Sequence, residues 1–179
     1  MRLGIGFDSA APGVDESPLT DERPSQLVAR LAKAKASAVA LLQPEAWVIG
    51  SDQVAVLDTP GTPTVLGKPG TEARCREQLQ ACSNRSVDYL TAVALVRHQT
   101  QQLIEFTDRT RVSFRKLDDA TIARYVQKEQ PLDCAGGFKS EGLGIALSNS
   151  IHTSDPSALI GLPLIRLSEA LRTAGYEIP

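Results

Sequence analysis

The stretch from Trp47 to Val56 constrains this chain more than any other, because it places a carboxylate inside an apolar segment of strand length. Its β-branched residues are typical of a strand that is covered on both faces. Asp52 nevertheless stands in the middle, and a buried carboxylate is costly unless a cation or hydrogen bonds satisfy it. Two interpretations stay open here: a Gly-Ser-Asp turn between two short strands, or a working carboxylate held on a rigid element.

Bulk composition sets limits on the class of protein. The chain has 179 residues, enough for one domain or for two small lobes that share a sheet. Aromatic residues make up only 4%, so the core must consist mainly of Leu, Val, Ile and Ala. A formal net charge of -2 gives no broad basic surface for a nucleic-acid polymer. A nucleotide, in contrast, needs only a local group of cations.

Metal-binding patterns and membrane segments are absent from the sequence. Cys75, Cys82 and Cys134 lack metal-ligand spacing, and the first two are predicted to be small apolar residues on one helix face. His98 and His152 are isolated. Neither a signal peptide nor an apolar run long enough for a bilayer is found. We therefore expect a cytoplasmic protein without a membrane partner.

Hydrophobic periodicity predicts alternating helices and strands, hence an α/β or α+β fold with a mixed sheet. The predicted helices are Pro24–Leu42, Thr71–Cys82, Asp118–Lys128 and Leu164–Ala174. The predicted strands are Met1–Ala11 (a weak one), Trp47–Val56, Ser86–Arg97, Leu103–Phe114 and Ile145–Ile151. The two strands of residues 86–114 suggest a hairpin. Loops are predicted at Asp58–Thr64 and Pro131–Gly144.

Helix caps and buried helix faces follow from the same pattern. Ser25, Thr71 and Asp118 or Asp119 are the predicted N-caps of the first three helices. In the last helix, Ile165 is expected to point inward together with its neighbouring leucines.

Six charged residues stand out because they sit in glycine or proline loops, inside the apolar strand, or on the helix before it. They are Glu16, Lys35, Asp52, Lys68, Lys139 and Glu141. Acids and lysines without histidines fit phosphate chemistry: carboxylates hold Mg²⁺ or Mn²⁺ and orient water, and lysines neutralise phosphate oxygens. A solvated turn around Glu16 and a flexible glycine-rich surface loop around Lys139 are the alternatives, since spacing alone does not bring these residues together.

Six sequence blocks occur in an order that carries a family resemblance. They read A-A-P-x-V-D-E-x-P, L-A-x-x-K-A, V-I-G-S-D-Q-V, G-K-P, C-A-G-x-F-K-S-E-G-x-G-I and D-P-x-x-L-I-G-L-P-L. This order resembles the Maf family of nucleotide pyrophosphatases, and most closely the branch acting on 7-methyl-GTP. The resemblance implies an inosine-triphosphate-pyrophosphatase-like α/β fold, with a long twisted mixed sheet, flanking helices, two lobes and a central cleft. It also implies hydrolysis of a nucleoside triphosphate to the monophosphate and pyrophosphate with a divalent metal cation, and a homodimer.

Residue roles follow from the resemblance, position by position. Asp52 matches the family's proton acceptor, Glu16 matches the acid assigned to metal or water handling, and both are candidate ligands of Mg²⁺ or Mn²⁺. Lys35 and Lys68 match lysines that face the phosphates. The remaining candidates are Gln53 and Glu141 for substrate specificity, and Ser51 and Lys139 for the phosphate or substrate loop. An amide and a carboxylate can both hydrogen-bond a guanine edge, and a carboxylate also suits the positive charge of an N7-methylated base.

One family feature is missing from this sequence. Family members begin with a strand and a loop of the type A-S-x-S-P-x-R-R, which supplies groups to the phosphates, and no such S-x-S-P-x-R-R segment occurs here. Residues 1–179 are therefore expected to form a single, N-terminally short Maf-like domain with an exposed sheet edge. The alternative function is a catalytically weak or inactive nucleotide-binding or regulatory protein.

Overall fold

Four helices and five strands make up the regular structure of the described residues, 2–58 and 63–179 of a computed structural model. The helices are α1 (Pro24–Ala40), α2 (Glu72–Cys82), α3 (Asp119–Glu129) and α4 (Leu164–Thr173). The strands are β1 (Val48–Leu57), β2 (Thr64–Leu66), β3 (Ser86–Arg97), β4 (Gln102–Phe114) and β5 (Ser148–His152). Short 3-10 turns cover Ala135–Gly137, Leu143–Leu147 and Ala158–Ile160. The α/β class is confirmed. Residues 59–62 of the predicted loop lie outside the described residues.

The strands form one sheet in the order β2-β1-β3-β4-β5. Strand β1 runs without interruption through Asp52 and pairs with β3 along its whole length, so the turn interpretation of this stretch was wrong. β3 and β4 form the predicted hairpin. Every described pairing is antiparallel, whereas the resemblance implied a mixed sheet. Between β3 and β4 the cause is the short turn at residues 98–101, because a tight connection allows only antiparallel pairing.

A glycine in β1 allows α1 to lie directly on the strand. A Cβ at Gly50 would lie 2.6 Å from the backbone nitrogen of Ala36, and closer still to the Ala32 carbonyl oxygen. Only glycine tolerates such an approach. The core between α1 and the sheet consists of Leu27, Val28, Leu31, Ala32, Ala36, Val54, Ala92 and Ala94. We call this side of the sheet the α1 face.

The opposite face of the sheet carries two apolar clusters with a polar row between them. The cluster against α4 contains Val93, Leu95, Phe106, Leu167, Ala170 and Leu171. The cluster against α2 and α3 includes Leu79, Cys75, Cys82, Val87, Tyr89 and Val126, which confirms the buried cysteines. Between the clusters, Gln53, Thr91 and Asp108 are register partners on β1, β3 and β4. We call these three residues the polar row.

Residues 2–23 form no regular strand, so the prediction of one at Met1–Ala11 was wrong. Gly4 has a φ of 70°, which breaks an extended run. Leu3 and Ile5 still pack, half-buried, against the α4 cluster. The alternation of apolar residues here therefore reflects which side chains are buried, and these residues do not pair as a strand.

Helix caps agree with the sequence in two of three cases. Thr71 caps α2 by accepting a hydrogen bond from the Arg74 N–H at 3.3 Å, and Asp118 caps α3 in the same way at 2.7 Å. Ser25 does not cap α1, which begins one residue earlier with Pro24 at its first turn. Proline suits that position because it needs no partner for an N–H.

Two boundaries near the C-terminus also differ from the prediction. Residues 143–147 form a 3-10 turn, so β5 begins at Ser148 instead of Ile145. Ile165 is 58% exposed, although helical periodicity put it inward. It lies in the first turn of α4, where its backbone N–H is held by Asp155.

Candidate active site

Asp52 projects from β1 to the α1 face, where Lys35 of α1 meets it. The Lys35 Nζ lies 2.6 Å from Asp52 Oδ1, and the two side chains are 17% and 10% exposed. The contact exists because Gly50 lets the helix approach the strand. A cation therefore satisfies the carboxylate that would otherwise be costly in this apolar strand.

Glu16 approaches the same lysine from the loop that precedes α1. Its Oε1 lies 2.7 Å from Lys35 Nζ, and its side chain is 50% exposed. Lys35 thus bridges two carboxylates, one buried and one open to solvent. Among residues 2–58 and 63–179, no protein donor occupies the second oxygen of either carboxylate. Both oxygens remain free to accept a hydrogen bond or to ligate a cation.

The pKa values of Asp52 and Lys35 are raised, whereas the pKa of Glu16 is lowered. Burial raises the pKa of Asp52 above its ordinary 3.8, and this outweighs the lowering by the hydrogen bond and charge of Lys35. The Lys35 hydrogen bond lowers the pKa of Glu16. Burial opposes the charge of Lys35, but its hydrogen bonds to Asp52 and Glu16 prevail and raise its pKa. Burial thus dominates at Asp52, whereas the hydrogen bond from Lys35 dominates at the more exposed Glu16.

Lys68 adds a second cation to this site at longer range. It is exposed in the loop between β2 and α2. Its charge lowers the pKa of both Glu16 and Asp52. The fold thus brings Glu16, Lys35, Asp52 and Lys68 into one electrostatic neighbourhood, although 52 positions separate the first from the last along the chain (68 − 16).

Sequence reasoning missed Arg30 of α1, which anchors the loop that carries Glu16. Arg30 donates to Glu22 from Nε at 2.6 Å and from Nη2 at 2.8 Å, and its Nη2 also reaches the Ser17 carbonyl at 3.0 Å. A bidentate guanidinium–carboxylate pair fixes the relative geometry of its two side chains better than a single hydrogen bond does. No local motif marks this pair, because Glu22 and Arg30 meet only when the loop folds back along α1.

Gln53 and Ser51 project to the opposite face from Asp52, as strand alternation requires. Gln53 Nε2 donates to Thr91 Oγ1 at 2.8 Å and to the carbonyl oxygens of Ala158 and Leu159 at 3.0 and 3.3 Å. Ser51 Oγ lies 3.0 Å from the Ala92 carbonyl oxygen and 2.7 Å from that of Gly161. The structure does not bring these two side chains into the Lys35 cluster.

Lys139 and Glu141 also make their contacts with residues outside the Lys35 cluster. Lys139 Nζ pairs with Glu129 Oε1 at 3.0 Å, and the same glutamate accepts the Leu143 N–H at 2.6 Å. Glu141 is exposed and contacts the neighbouring Ser140 hydroxyl at 3.4 Å. The ion pair of Lys139 therefore organises its own glycine-rich loop.

Within the described ranges, no group of three or more His, Cys, Asp or Glu side chains is arranged to hold a metal ion. Glu16 and Asp52 offer two carboxylates with free oxygens near one another, since both bond the same Lys35 Nζ. Mg²⁺ is commonly held by one or two carboxylates together with substrate phosphates and water. The donor set of this site fits such a cation.

Comparison with known protein families identifies the family of this chain. The family profile described as "Maf-like protein" matches residues 1–174. The chain belongs to the Maf family. The family membership predicted from the six sequence blocks is thereby confirmed.

Several Maf relatives have a named activity. A 7-methyl-GTP pyrophosphatase of Xanthomonas oryzae pv. oryzae is 51% identical over 178 residues, which cover 99% of this chain and 90% of the relative. Proteins of the same name from Alkalilimnicola ehrlichii and Nitrosococcus oceani are 55% and 48% identical over 177 residues, which cover 99% of this chain and 87% of each relative. In the part of this Maf chain that the structure describes, no helix combines the length and apolar character needed to cross a membrane.

Proposed function

We propose that this Maf protein hydrolyses 7-methyl-GTP, or a related modified nucleotide, to the monophosphate and pyrophosphate. The observation that carries the proposal is the Asp52–Lys35–Glu16 cluster, with distances of 2.6 and 2.7 Å from the lysine to the two carboxylates. The names of relatives that are about half identical support the substrate class. The predicted cytoplasmic location and the homodimer stay predictions.

Asp52 is the proposed proton acceptor. A water oxygen adds to phosphorus at the α–β anhydride, the bridging P–O bond breaks, pyrophosphate leaves, and the proton lost by the water goes to Asp52 Oδ2. Lys35 bonds Oδ1, so it fixes the carboxylate and leaves the second oxygen for the water. The raised pKa of Asp52 favours proton acceptance, because a general base works best when its pKa lies nearer the working pH.

Lys35 and Lys68 are the proposed phosphate-facing cations. Both lie near the carboxylates, and Lys68 is exposed and has no ion-pair partner among the described residues, so a phosphate can approach it directly. Lysines at such a site offset the negative charge that builds on phosphate oxygens. The role predicted for Lys139 requires its Glu129 contact to open or to be shared. The hydroxyl of Ser51 faces two main-chain carbonyls, so its contacts favour a structural role over phosphate binding.

Glu16 would hold the divalent cation, Mg²⁺ or Mn²⁺, through its free oxygen, and Asp52 would share its Oδ2 between this cation and the attacking water. When bound, that cation supplies positive charge to the phosphate oxygens. Lys35 keeps the two carboxylates together in its absence, since one ammonium group lies 2.7 Å from one and 2.6 Å from the other. The chain's own part is thus to hold the two acids in place.

Gln53 and Glu141 are proposed to recognise the base. Gln53 lies on the opposite face from Asp52, but both side chains leave the same strand at adjacent positions. β2 covers this edge of β1 only at Ala55–Leu57, and no other described strand pairs with the edge at Asp52 and Gln53. A nucleotide lying across the edge can therefore reach both faces.

The test is pyrophosphate release from 7-methyl-GTP, GTP, dTTP and UTP with Mg²⁺ or Mn²⁺. We expect Asp52→Asn to lower kcat by about 10²–10⁴-fold, the usual contribution of a positioned base. Asp88→Asn is the matched control, because Asp88 is also an ion-paired aspartate of the sheet, held by Arg109 and Arg111. Unchanged release by Asp52→Asn would overturn the mechanism.

The alternative, a nucleotide-binding or regulatory protein without catalysis, is not favoured by the names of the relatives. Tight nucleotide binding in calorimetry, with no pyrophosphate release from any nucleotide of the panel, would establish it in place of the hydrolase.

A further inference from the structure

The polar row on the opposite face holds the Gln53 amide in one orientation. Its Nε2 lies 2.8 Å from Thr91 Oγ1, 3.0 Å from the Ala158 carbonyl oxygen and 3.3 Å from the Leu159 carbonyl oxygen. Carbonyl oxygens only accept hydrogen bonds. Rotating the amide by half a turn would set Oε1 against two of them, so the NH₂ group must occupy this position.

Thr91 strengthens this constraint through its single hydroxyl hydrogen. Thr91 Oγ1 donates to the Ala158 carbonyl at 3.0 Å and is 1% exposed. Because that hydrogen is already used, Thr91 can offer Gln53 only an acceptor. Three acceptors therefore face the same edge of the Gln53 amide.

The two carbonyls are themselves held in place by neighbouring contacts. Asp155, which is 2% exposed, accepts from the Ser157 hydroxyl at 2.5 Å and from the Ile165 N–H at 2.6 Å. Ser51 reaches the Gly161 carbonyl at 2.7 Å from the same strand as Gln53. The turn that contains Ala158–Ile160 is therefore fixed at both ends, and its carbonyls cannot rotate away from Gln53.

The other edge of the amide is open. No donor among the described residues bonds Gln53 Oε1, and this atom is not one of the buried atoms without a partner, so it is accessible to solvent. Gln53 is only half-buried and lies at the edge of β1 that β2 leaves uncovered. What Gln53 presents to a ligand is thus a hydrogen-bond acceptor.

We propose that Thr91 is a positioning residue that fixes Gln53 as an acceptor, and that the site thereby selects bases carrying an N–H donor on the ring. This inference rests on the proposed nucleotide hydrolysis. Guanine, hypoxanthine, uracil and thymine carry such a ring N–H, whereas adenine and cytosine carry an unprotonated ring nitrogen there. Two acceptors placed face to face reject the second group, since a buried polar group without a partner is costly.

The first experiment uses the unaltered protein. Pyrophosphate release is measured for GTP, ITP and ATP, with 7-methyl-GTP as the reference substrate. ITP keeps the ring N–H of GTP but lacks its exocyclic amine, so the ring position is isolated. We expect kcat/KM for ATP to be at least about tenfold below both GTP and ITP. ATP hydrolysed as efficiently as GTP would overturn the proposal.

The second experiment tests Thr91 itself. Thr91→Val keeps the shape and removes the hydroxyl, whereas Thr91→Ser keeps the hydroxyl and is the control. We expect Thr91→Val to raise KM for GTP and to lower the GTP-to-ATP preference by about five- to tenfold, with kcat little changed and Thr91→Ser close to wild type. An unchanged preference in folded Thr91→Val would refute the role of Thr91.

Other results separate this inference from the proposed function. Circular dichroism checks the fold of each variant, and if Thr91→Val does not fold, the wild-type nucleotide series together with Thr91→Ser decides: a Thr91→Ser protein that loses the preference counts against the role of Thr91. A wild-type protein that releases no pyrophosphate from any nucleotide contradicts the proposed function. In that case, nucleotide binding by calorimetry still tests the base preference, and equal affinity for GTP and ATP overturns it.

Discussion

The two faces of β1 hold adjacent polar residues in opposite ways. On the α1 face, Asp52 has Lys35 as its one partner among the described residues and keeps a free oxygen. On the opposite face, the Gln53 NH₂ group meets three acceptors. The Asp52 carboxylate therefore keeps one oxygen that can react. The Gln53 amide, in contrast, is held by its NH₂ group, which fixes the direction of its Oε1 atom. One strand thus supports chemistry on one side and orientation on the other.

Burial has different consequences on the two faces. For Asp52, burial raises the pKa and so increases its basicity. For the uncharged side chains of Gln53 and Thr91, burial strengthens hydrogen bonds without a charge to desolvate. We therefore expect substitutions of Asp52 and Lys35 to affect mainly turnover, and substitutions of Gln53 and Thr91 to affect mainly stability and preference between substrates.

After Asp52→Asn, the largest effect is expected for Lys35→Met. This variant removes the cation that bridges Glu16 and Asp52, so the two carboxylates repel each other and lose their alignment. We expect kcat to fall by about 10²–10³-fold, the range for loss of one preorganised electrostatic contact. Steady-state pyrophosphate release measures the effect. Lys33→Met, on the same helix but outside the cluster, is the control, and an equal loss in both variants would contradict the comparison.

Gly50→Ala is expected to destabilise the protein by about 1–3 kcal/mol, the usual cost of overpacking. The added methyl would meet the backbone of α1 at Ala32 and Ala36, and backbone cannot give way as a flexible side chain can. Thermal unfolding measures the change. Gly6→Ala is the matched control, because nothing lies within 4 Å of a Cβ there. Equal melting temperatures for the two variants would show that α1 does not rely on this close approach.

Gln53→Ala is expected to lower the free energy of unfolding by about 1–3 kcal/mol, because the Leu159 carbonyl loses its donor and Thr91 loses a partner. Gln80→Ala removes an exposed glutamine and should stay within about 0.5 kcal/mol of wild type. Urea denaturation compares the two variants. A Gln53→Ala protein as stable as Gln80→Ala would mean that the polar row does not support the fold.

The smallest effect concerns the Arg30–Glu22 pair. The hydrogen bond from Arg30 lowers the pKa of Glu22 from 4.5 to about 2. A carboxylate with a lowered folded-state pKa contributes stability above its unfolded value, and this contribution is lost as the pH falls from 4.5 toward 2. In Glu22→Gln, the part of the stability that Glu22 loses between pH 4.5 and 2 should be absent. Urea midpoints measured across that interval would have the same pH dependence in both proteins if the pair were unimportant.

Strand and helix positions could be predicted because their signals are local. The apolar run around Asp52 and the caps at Thr71 and Asp118 depend on neighbours within a few residues. The weak strand predicted at Met1–Ala11 was wrong, because Leu3 and Ile5 alternate for packing and none of the described strands pairs with them.

Only part of the candidate site could be predicted from the sequence. Asp52 and Gln53 were predicted as residues of one site, although neighbouring strand residues face opposite sides of a sheet. The roles of Thr91 and Arg30 were not predictable, because each depends on partners brought together by the fold: Ala158 lies 67 positions from Thr91. Nothing in their local sequence distinguishes them from ordinary strand and helix residues.

The pH dependence of kcat/KM in wild type and Lys35→Met tests the central claim most directly. If Asp52 is the base, activity falls on the acid side with a midpoint above the ordinary 3.8, because burial raises its pKa. Lys35 lowers the pKa of Asp52, so its removal should move that midpoint to higher pH in the residual activity. An acid limb that stays in place in Lys35→Met, or moves to lower pH, would contradict the account.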